Sequence, residues 1–267
     1  MRGAVASSAE SGEAIVGTQS LDRGLALLLY VASSPPPGLT LAACTAELGL
    51  SKATTLRMLQ TLVRRGFLDL DSETGLYTLG PTTIHLGAEY LRRIDVRSRA
   101  LPHMRALVTA TRETAHLGVL RGTNVVYVEL VENDVPVRIF SQIGDAVPAY
   151  ATATGKAILA WLPHQQILKH LPKTLSARTP NTITSVERLL DDLRATRERG
   201  YAIDETENRE NVRGFAAPIF DHNTEVIAAV AVAAPSDRIT PELEATMADE
   251  VLRAARIISV EMGAVLQ

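Results

Sequence analysis

Residues 40–67, TLAACTAELGLSKATTLRMLQTLVRRGF, contain two short helical patterns separated by a tight turn. Thr40 can cap the first helix, and Gly49 can close it because glycine adopts the left-handed conformation without strain. Ser51 is the natural N-cap of the second helix and Gly66 its natural stop, which predicts a helix over residues 52–65. These helix start and stop signals predict a helix-turn-helix.

The second helix has one apolar and one polar face when its residues are placed ~100° apart on a wheel. Leu56, Leu59, Leu62 and Val63 form the first face, and Thr54, Arg57, Thr61, Arg64 and Arg65 form the second. Residues 51–65 include four basic residues and no acidic one, although the formal net charge of the chain is −3. Such a local excess of basic residues is typical of a surface that binds the phosphate backbone of DNA. A solvated surface helix shows the same pattern, so the neighbouring elements decide between these interpretations.

After Gly66 the pattern becomes strand-like. Residues 67–70 and 76–79 predict a β-hairpin across the turn-rich segment DSETG. Helix, turn, helix and hairpin in succession predict a winged helix-turn-helix, whose second helix enters the DNA major groove while the hairpin reaches the flanking backbone.

We therefore predict a set of DNA-contacting residues on the second helix. Thr54, Thr55 and Arg57 would read bases, and Ser51 and Lys52 would lie near phosphate at the positive helix start. Arg64 would contact the backbone without regard to base sequence.

The length and composition predict a soluble protein with two moderate domains or one large one, since the chain has 267 residues and a net charge of only −3. Apolar runs near residues 25–32 and 226–234 reach about half the ~20 residues of a membrane-spanning helix. The first residues mix acidic and small side chains, unlike a secretory signal. We expect a cytoplasmic protein with a disordered tail over residues 1–19.

The rest of the chain predicts a linker helix and an α+β domain. Ser20 would cap a helix over residues 21–33, which completes the winged domain over residues 20–80. Ile84, Ala88 and Leu91 form one apolar stripe on a linker helix within residues 81–95, which needs a partner surface and could pair two subunits. Within residues 96–267 we expect an antiparallel sheet. Its predicted strands cover residues 115–121, 124–131, 137–142, 214–221 and 225–234, and its helices cover 96–113, 155–162, 164–171, 185–199 and a last one capped by Thr240.

Seven segments in this order carry a family resemblance: SLDRGLALL, LGLSKATTLRMLQTLVRRGFL, YTLGPTTIHLG, ETAHLGVLRGTNVVYVELVE, ATATGKAILAWLP, RERGYAIDETENRENVRGFAAPIFD and VIAAVAVAAPSDRIT. Over nearly the whole chain the sequence resembles the IclR family of bacterial transcriptional regulators. The resemblance implies a winged helix-turn-helix and a GAF-like C-terminal domain in which a small organic effector binds. It also implies homodimers or dimers of dimers on a near-palindromic double-stranded DNA operator.

The resemblance also implies an effector pocket formed by Thr152, Ala153, Asp204, Gly214, Ala231 and Ala233. Cysteine and serine stand at the last three places in members that bind very small, oxygenated acids, so this chain has fewer hydrogen-bonding groups and more room there. From the residues themselves, Thr154 would cap a helix beginning at Gly155 and offer free N–H groups to a carboxylate. We thus expect an effector with one carboxylate and an aromatic or apolar body, with Asp204 accepting a hydrogen bond from a hydroxyl or amide.

Enzyme signatures are not found in the sequence. The histidines show no HxH or HExxH spacing, one cysteine cannot supply a zinc cluster, and no GxSxG occurs. Thr154-Gly155-Lys156 lacks the glycine and magnesium-binding hydroxyl of a P-loop, because Tyr150 and Ala157 occupy those places. The sequence predicts no cofactor, no metal and no catalytic residue. It leaves open a sensor that acts through protein contacts, and whether a regulator would repress or activate.

Overall fold

The computed structural model describes residues 18–92, 95–133 and 141–265. The chain divides into two compact units, Met1–Arg93 and Ile94–Gln267. Residues 1–17 of the predicted tail lie outside the described residues, and the first helix already begins at Gln19. Among the described helices, none is both long and apolar enough to cross a membrane.

The first unit is a helical core followed by a hairpin. It contains α1 (Gln19–Ala32), α2 (Leu41–Leu48), α3 (Lys52–Arg64), β1 (Leu68–Leu70), β2 (Tyr77–Leu79) and α4 (Pro81–Arg92). Its core is formed by Leu27, Val31, Cys44, Leu59, Leu68 and Tyr77, which are all buried. β1 and β2 pair antiparallel, so the predicted winged helix-turn-helix is confirmed.

The predicted caps of α2 and α3 are confirmed, whereas the predicted cap of α1 is wrong. The Thr40 and Ser51 hydroxyls accept hydrogen bonds from the N–H groups of Ala43 and Thr54. Gly49 closes α2 with a φ of 60°, in the left-handed region. Ser20 lies inside α1, because Thr18 precedes the helix as its N-terminal flanking residue.

The second unit is built on a six-stranded antiparallel sheet. Its strands are β3 (Thr114–Arg121), β4 (Asn124–Val131), β5 (Ala146–Pro148), β6 (Ala202–Glu205), β7 (Val212–Phe220) and β8 (Val226–Pro235), in the order β5-β4-β3-β8-β7-β6. The sequence did not predict β5 and β6. Most of the predicted strand over residues 137–142 lies outside the described residues, and residues 141–142 are not in a strand.

Helices cover the sheet of the second unit. They are α5 (Asp95–Thr111), α6 (Ala153–Leu159), α7 (His164–Lys169), α8 (Val186–Arg199) and α9 (Pro241–Glu261), which Thr240 caps as predicted. Ala229 and Ala231 of β8 share a buried cluster with α6 and α8. The alternate residues of β8 face the other side, where α5 and α9 pack against each other and the sheet. The predicted α+β class with an antiparallel sheet is therefore confirmed.

Candidate functional site

The exposed face of α3 carries cations. Lys52, Arg57 and Arg64 are all exposed, and none of their side chains forms an ion pair or hydrogen bond with the described residues. At the helix start, Ser51 Oγ lies 2.9 Å from Thr54 Oγ1, which orients both hydroxyls toward the first turn. The surface combines free cationic side chains with a polar, positive helix start, which suits a phosphate backbone.

Thr55 does not belong to this surface, so its predicted role in base reading is corrected. Its side chain is 0% exposed, and its hydroxyl donates to the carbonyl of Ser51 over 3.2 Å. Thr55 lies one turn before the buried Leu59, so it faces the core of the first unit.

The hairpin has an acidic surface. Asp69, Asp71 and Glu73 are exposed, and no lysine or arginine occurs in residues 67–80. Hydrogen bonds from the backbone N–H groups of Thr74 and Glu73 hold the pKa of Asp71 below its ordinary value. These charges repel phosphate, so the expected hairpin contact with the DNA backbone gains no electrostatic support.

The second unit contains a small cavity at one end of its sheet, with a volume of about 40 Å³. Its lining includes seven of the eight predicted effector residues, namely Thr152, Ala153, Thr154, Asp204, Gly214, Ala231 and Ala233. Gly155 does not line it. Its backbone lies against Ala149, because a Cβ built on Gly155 would stand 2.1 Å from the Ala149 carbonyl oxygen. Close packing, rather than ligand contact, thus requires glycine at this position.

The sheet register explains how distant residues reach one cavity. Asp204 of β6 pairs with Gly214 of β7, and Gly214 pairs with Ala233 of β8. Two residues earlier on β8, Ala231 pairs with His116 of β3. Because residues i and i+2 of a strand face the same side of a sheet, these residues together form one wall of the cavity, which has both polar and apolar side chains.

The start of α6 differs from the prediction. Thr152, not Thr154, caps the helix, and its hydroxyl accepts the N–H of Gly155 over 3.2 Å. The N–H of Lys156 bonds to the Thr152 carbonyl. The prediction that Thr154 caps a helix from Gly155 is therefore wrong, and fewer free N–H groups face the cavity than expected.

Sequence reasoning missed five polar residues of the cavity: His116, Tyr127, Ser141, Asn208 and Arg209. The His116 and Tyr127 rings lie 4.8 Å apart. Burial, helped by Arg209, lowers the pKa of His116 to about 4. Burial, helped by Asp204, raises the pKa of Tyr127 to about 12. Both side chains are therefore neutral at physiological pH. For His116 and Tyr127, the available sequence signal was their inward position in the period-two patterns of β3 and β4.

A buried charge cluster lies behind Asp204. Lys156 is 1% exposed, and its Nζ lies 2.5 Å from Glu207 Oε1 and 2.9 Å from Asp192 Oδ2. Asp204 Oδ1 accepts the backbone N–H of Glu207 over 2.6 Å. The cluster therefore links the cavity to α6, α8 and the turn after β6.

The space beside Gly214 could hold a methyl group. A Cβ at Gly214 would stand 3.6 Å from the Cβ of Ala153 and 3.7 Å from that of Ala233, which is ordinary van der Waals contact. A methyl-sized group at Gly214 would therefore contact both alanines of this wall without displacing them.

Both units of the chain match models of a known protein family. Family models described as the IclR helix-turn-helix domain and as bacterial transcriptional regulator IclR C-terminal match residues 20–72 and 88–260. The transcriptional regulator XynR of Escherichia coli is 33% identical over 246 residues, covering 92% of this chain and 97% of XynR. The regulator BhcR of Paracoccus denitrificans is 36% identical over 248 residues, covering 92% of this chain and 88% of BhcR.

The fold agrees with solved structures of similar chains. The crystal structure of Thermotoga maritima IclR matches with a TM-score of 0.77 and 29% identity, covering 92% of this chain and 99% of that chain. The relatives are transcriptional regulators, which agrees with the prediction that this chain is not an enzyme. The two family models and the relatives together show that this chain belongs to the IclR family and is a DNA-binding transcriptional regulator.

Proposed function

We propose that the chain binds a DNA operator through α3 and that a compact organic acid in the cavity changes its operator affinity. The observation that carries the second part is the convergence of Thr152, Asp204 and Gly214 with Arg209 around one cavity. On α3, we assign Arg57, with Thr54 beside it, to a guanine edge, and Ser51, Lys52 and Arg64 to phosphate contacts.

The proposed effector is smaller and more polar than the aromatic or apolar acid expected from sequence. A water needs roughly 10–15 Å³ of such volume, so a cavity of about 40 Å³ holds a ligand of only a few heavy atoms. Drug-sized ligands occupy pockets of roughly 300–1,000 Å³. Arg209 supplies a cation on the lining, and charge-assisted bonds to a carboxylate are stronger than neutral ones.

Two copies of the chain would act together on a near-palindromic operator. One winged domain makes few contacts, and paired domains bind two related half-sites. Leu21, Leu25 and Leu29 recur every fourth residue on α1 and are 64%, 51% and 70% exposed. Ile84 on α4 is 75% exposed. These apolar side chains support a homodimer, which could associate further into a dimer of dimers.

Calorimetry with glyoxylate, pyruvate, succinate and benzoate tests the effector class. We expect a two- or three-carbon acid to bind more tightly than benzoate, and Gly214→Leu to abolish that binding while operator binding without acid persists. Preferential binding of benzoate would refute the compact class. Normal acid binding by Gly214→Leu would refute the cavity as the effector site.

Footprinting on the upstream region of the chain's own gene tests the assembly. We expect protection of two symmetric half-sites. Protection of one unsymmetrical half-site by a monomer would contradict the proposed dimer.

A further inference from the structure

Asp204 stands at the boundary between the cavity and the buried charge cluster. Its side chain lines the cavity and the residue is 6% exposed. Oδ1 accepts the backbone N–H of Glu207 over 2.6 Å and that of Asn208 over 3.4 Å. The other oxygen, Oδ2, receives no hydrogen bond from the described residues, so it is available to a ligand.

Lys156, whose charge lowers the pKa of Asp204, is already engaged by other carboxylates. Lys156 Nζ contacts Glu207 and Asp192, and Asp192 has a further, longer contact of 3.8 Å to Arg199. Glu207 Oε2 is buried and accepts no hydrogen bond from the described residues, so the negative charge of Glu207 is only partly compensated. A charge on Asp204 would therefore be a third carboxylate around one buried ammonium.

Two other ionisable groups of the cavity lining do not change charge around neutral pH. His116 on β3 and Tyr127 on β4 are neutral there, since their pKa values lie at about 4 and about 12. Arg209 contributes a guanidinium group to the cavity lining. On β7, Arg213 is bound to Glu205 and Glu244. Asp204 changes its protonation state around neutral pH, because burial and, after it, the charge of Glu207 raise its pKa to about 7.

We propose that Asp204 holds the effector's carboxylate as a neutral acid, donating a hydrogen bond from Oδ2, so that binding takes up a proton from solvent wherever Asp204 is ionised in the free protein. This inference rests on the proposed role of the cavity as the effector site. The proton cancels one of two negative charges that would otherwise face each other across a hydrogen-bond distance. Asp204 is thus a donor to the effector, opposite to the acceptor role expected from sequence, and effector affinity depends on pH.

The expected pH dependence follows from the protonated fraction. If only the protonated form binds, a carboxyl with a pKa of about 7 predicts acetate binding about 30-fold weaker near pH 8.5 than near pH 6. Asp204→Asn keeps an oxygen for the Glu207 N–H and offers an N–H₂ donor in place of the acid. This variant should bind acetate near pH 8.5 as the wild type does near pH 6.

The test is a calorimetric titration of the full chain with acetate as the probe, near pH 6 and near pH 8.5. Measurement in buffers of different ionisation enthalpy counts the protons taken up. Asp221→Asn is the matched control, because Asp221 also accepts backbone N–H groups through Oδ1, of Asn223 and Glu225, but does not line the cavity. The control should keep the wild-type pH dependence.

Equal acetate affinity of the wild type at both pH values would overturn the inference. So would unchanged pH dependence in Asp204→Asn, or failure of ~100 mM acetate to bind at either pH. Operator binding by the acid-free protein is measured in parallel. Its presence in any of these cases leaves the regulator function standing, whereas its loss would count against the proposed operator binding itself.

Discussion

Replacement of Lys156 by methionine removes the ammonium group that contacts both Glu207 and Asp192 in the buried cluster. Methionine retains the apolar stem but leaves these carboxylates without their ammonium partner, beside Asp204. Removing one partner of a buried ion pair costs about 3–5 kcal/mol. Because the Asp192 side chain is 24% exposed and can be partly hydrated, we expect the lower end, about 3 kcal/mol.

Urea unfolding followed by tryptophan fluorescence measures this loss directly. Trp161 is the only tryptophan of the chain, follows α6 and contacts Phe220 with ring centroids 5.9 Å apart. Its signal therefore reports on the second unit. With a slope of about 1–3 kcal/mol/M, a loss of about 3 kcal/mol lowers the midpoint by roughly 1–3 M.

Lys173→Met is the matched control, because Lys173 is exposed and its replacement should change the free energy of unfolding by less than about 0.5 kcal/mol. Adding Glu207→Gln to Lys156→Met should recover part of the loss, since one uncompensated charge disappears. If Lys156→Met unfolds at the same urea concentration as Lys173→Met, the charge cluster does not stabilise the second unit as argued.

Three further predictions concern the DNA surface and the cavity. Arg57→Ala should lower discrimination between the operator and altered half-sites by ~1–3 kcal/mol, whereas Arg64→Ala should weaken binding to all DNA sequences evenly and reduce the salt slope by about one. Competition binding with single-base variants of the operator distinguishes the two outcomes, and an unchanged sequence preference in Arg57→Ala would contradict the proposed contact of Arg57 with a base. Glu73→Lys should strengthen binding to operator and scrambled DNA alike, because it reverses a charge on the acidic hairpin; anisotropy at low salt measures this, and weaker binding would show that the hairpin contributes differently. Asp204 has a folded-state pKa of about 7, raised above an unfolded value of ~3.9, so its contribution to stability is present below the unfolded pKa and lost as pH rises toward about 7. Asp204→Asn should remove up to about 4 kcal/mol of this pH dependence in urea unfolding, and a pH profile identical to that of the wild type would contradict the raised pKa of Asp204.

Local signals in the sequence were sufficient for the first unit. Thr40, Gly49 and Ser51 act through neighbours within one helical turn, so their caps could be predicted without tertiary information. The misassigned Thr55 shows the limit of a pattern based on residue type. Threonine is polar, yet its position one turn before Leu59 places it in the core.

The cavity could be predicted only in part, because tertiary contacts assemble it. The resemblance located Asp204 and Gly214, which are neighbours in the sheet register. The burial of Lys156 depends on Asp192 of α8 and Glu207 of the turn after β6, which lie far along the chain. β5 and β6 have only three and four residues, which gives too few alternations for a period-two pattern. The equally short β1 and β2 could be predicted because the turn-rich segment DSETG between them indicates a hairpin.

Fluorescence anisotropy with a labelled fragment of the chain's own upstream region tests the central claim most directly. The wild type is titrated at two salt concentrations, with and without pyruvate, against a scrambled fragment of equal length. We predict tighter binding to the upstream fragment, an affinity that falls as salt rises, and a change in affinity with pyruvate that is lost in Gly214→Leu. Equal binding to both fragments, or an operator affinity that no compact acid changes, would contradict the account.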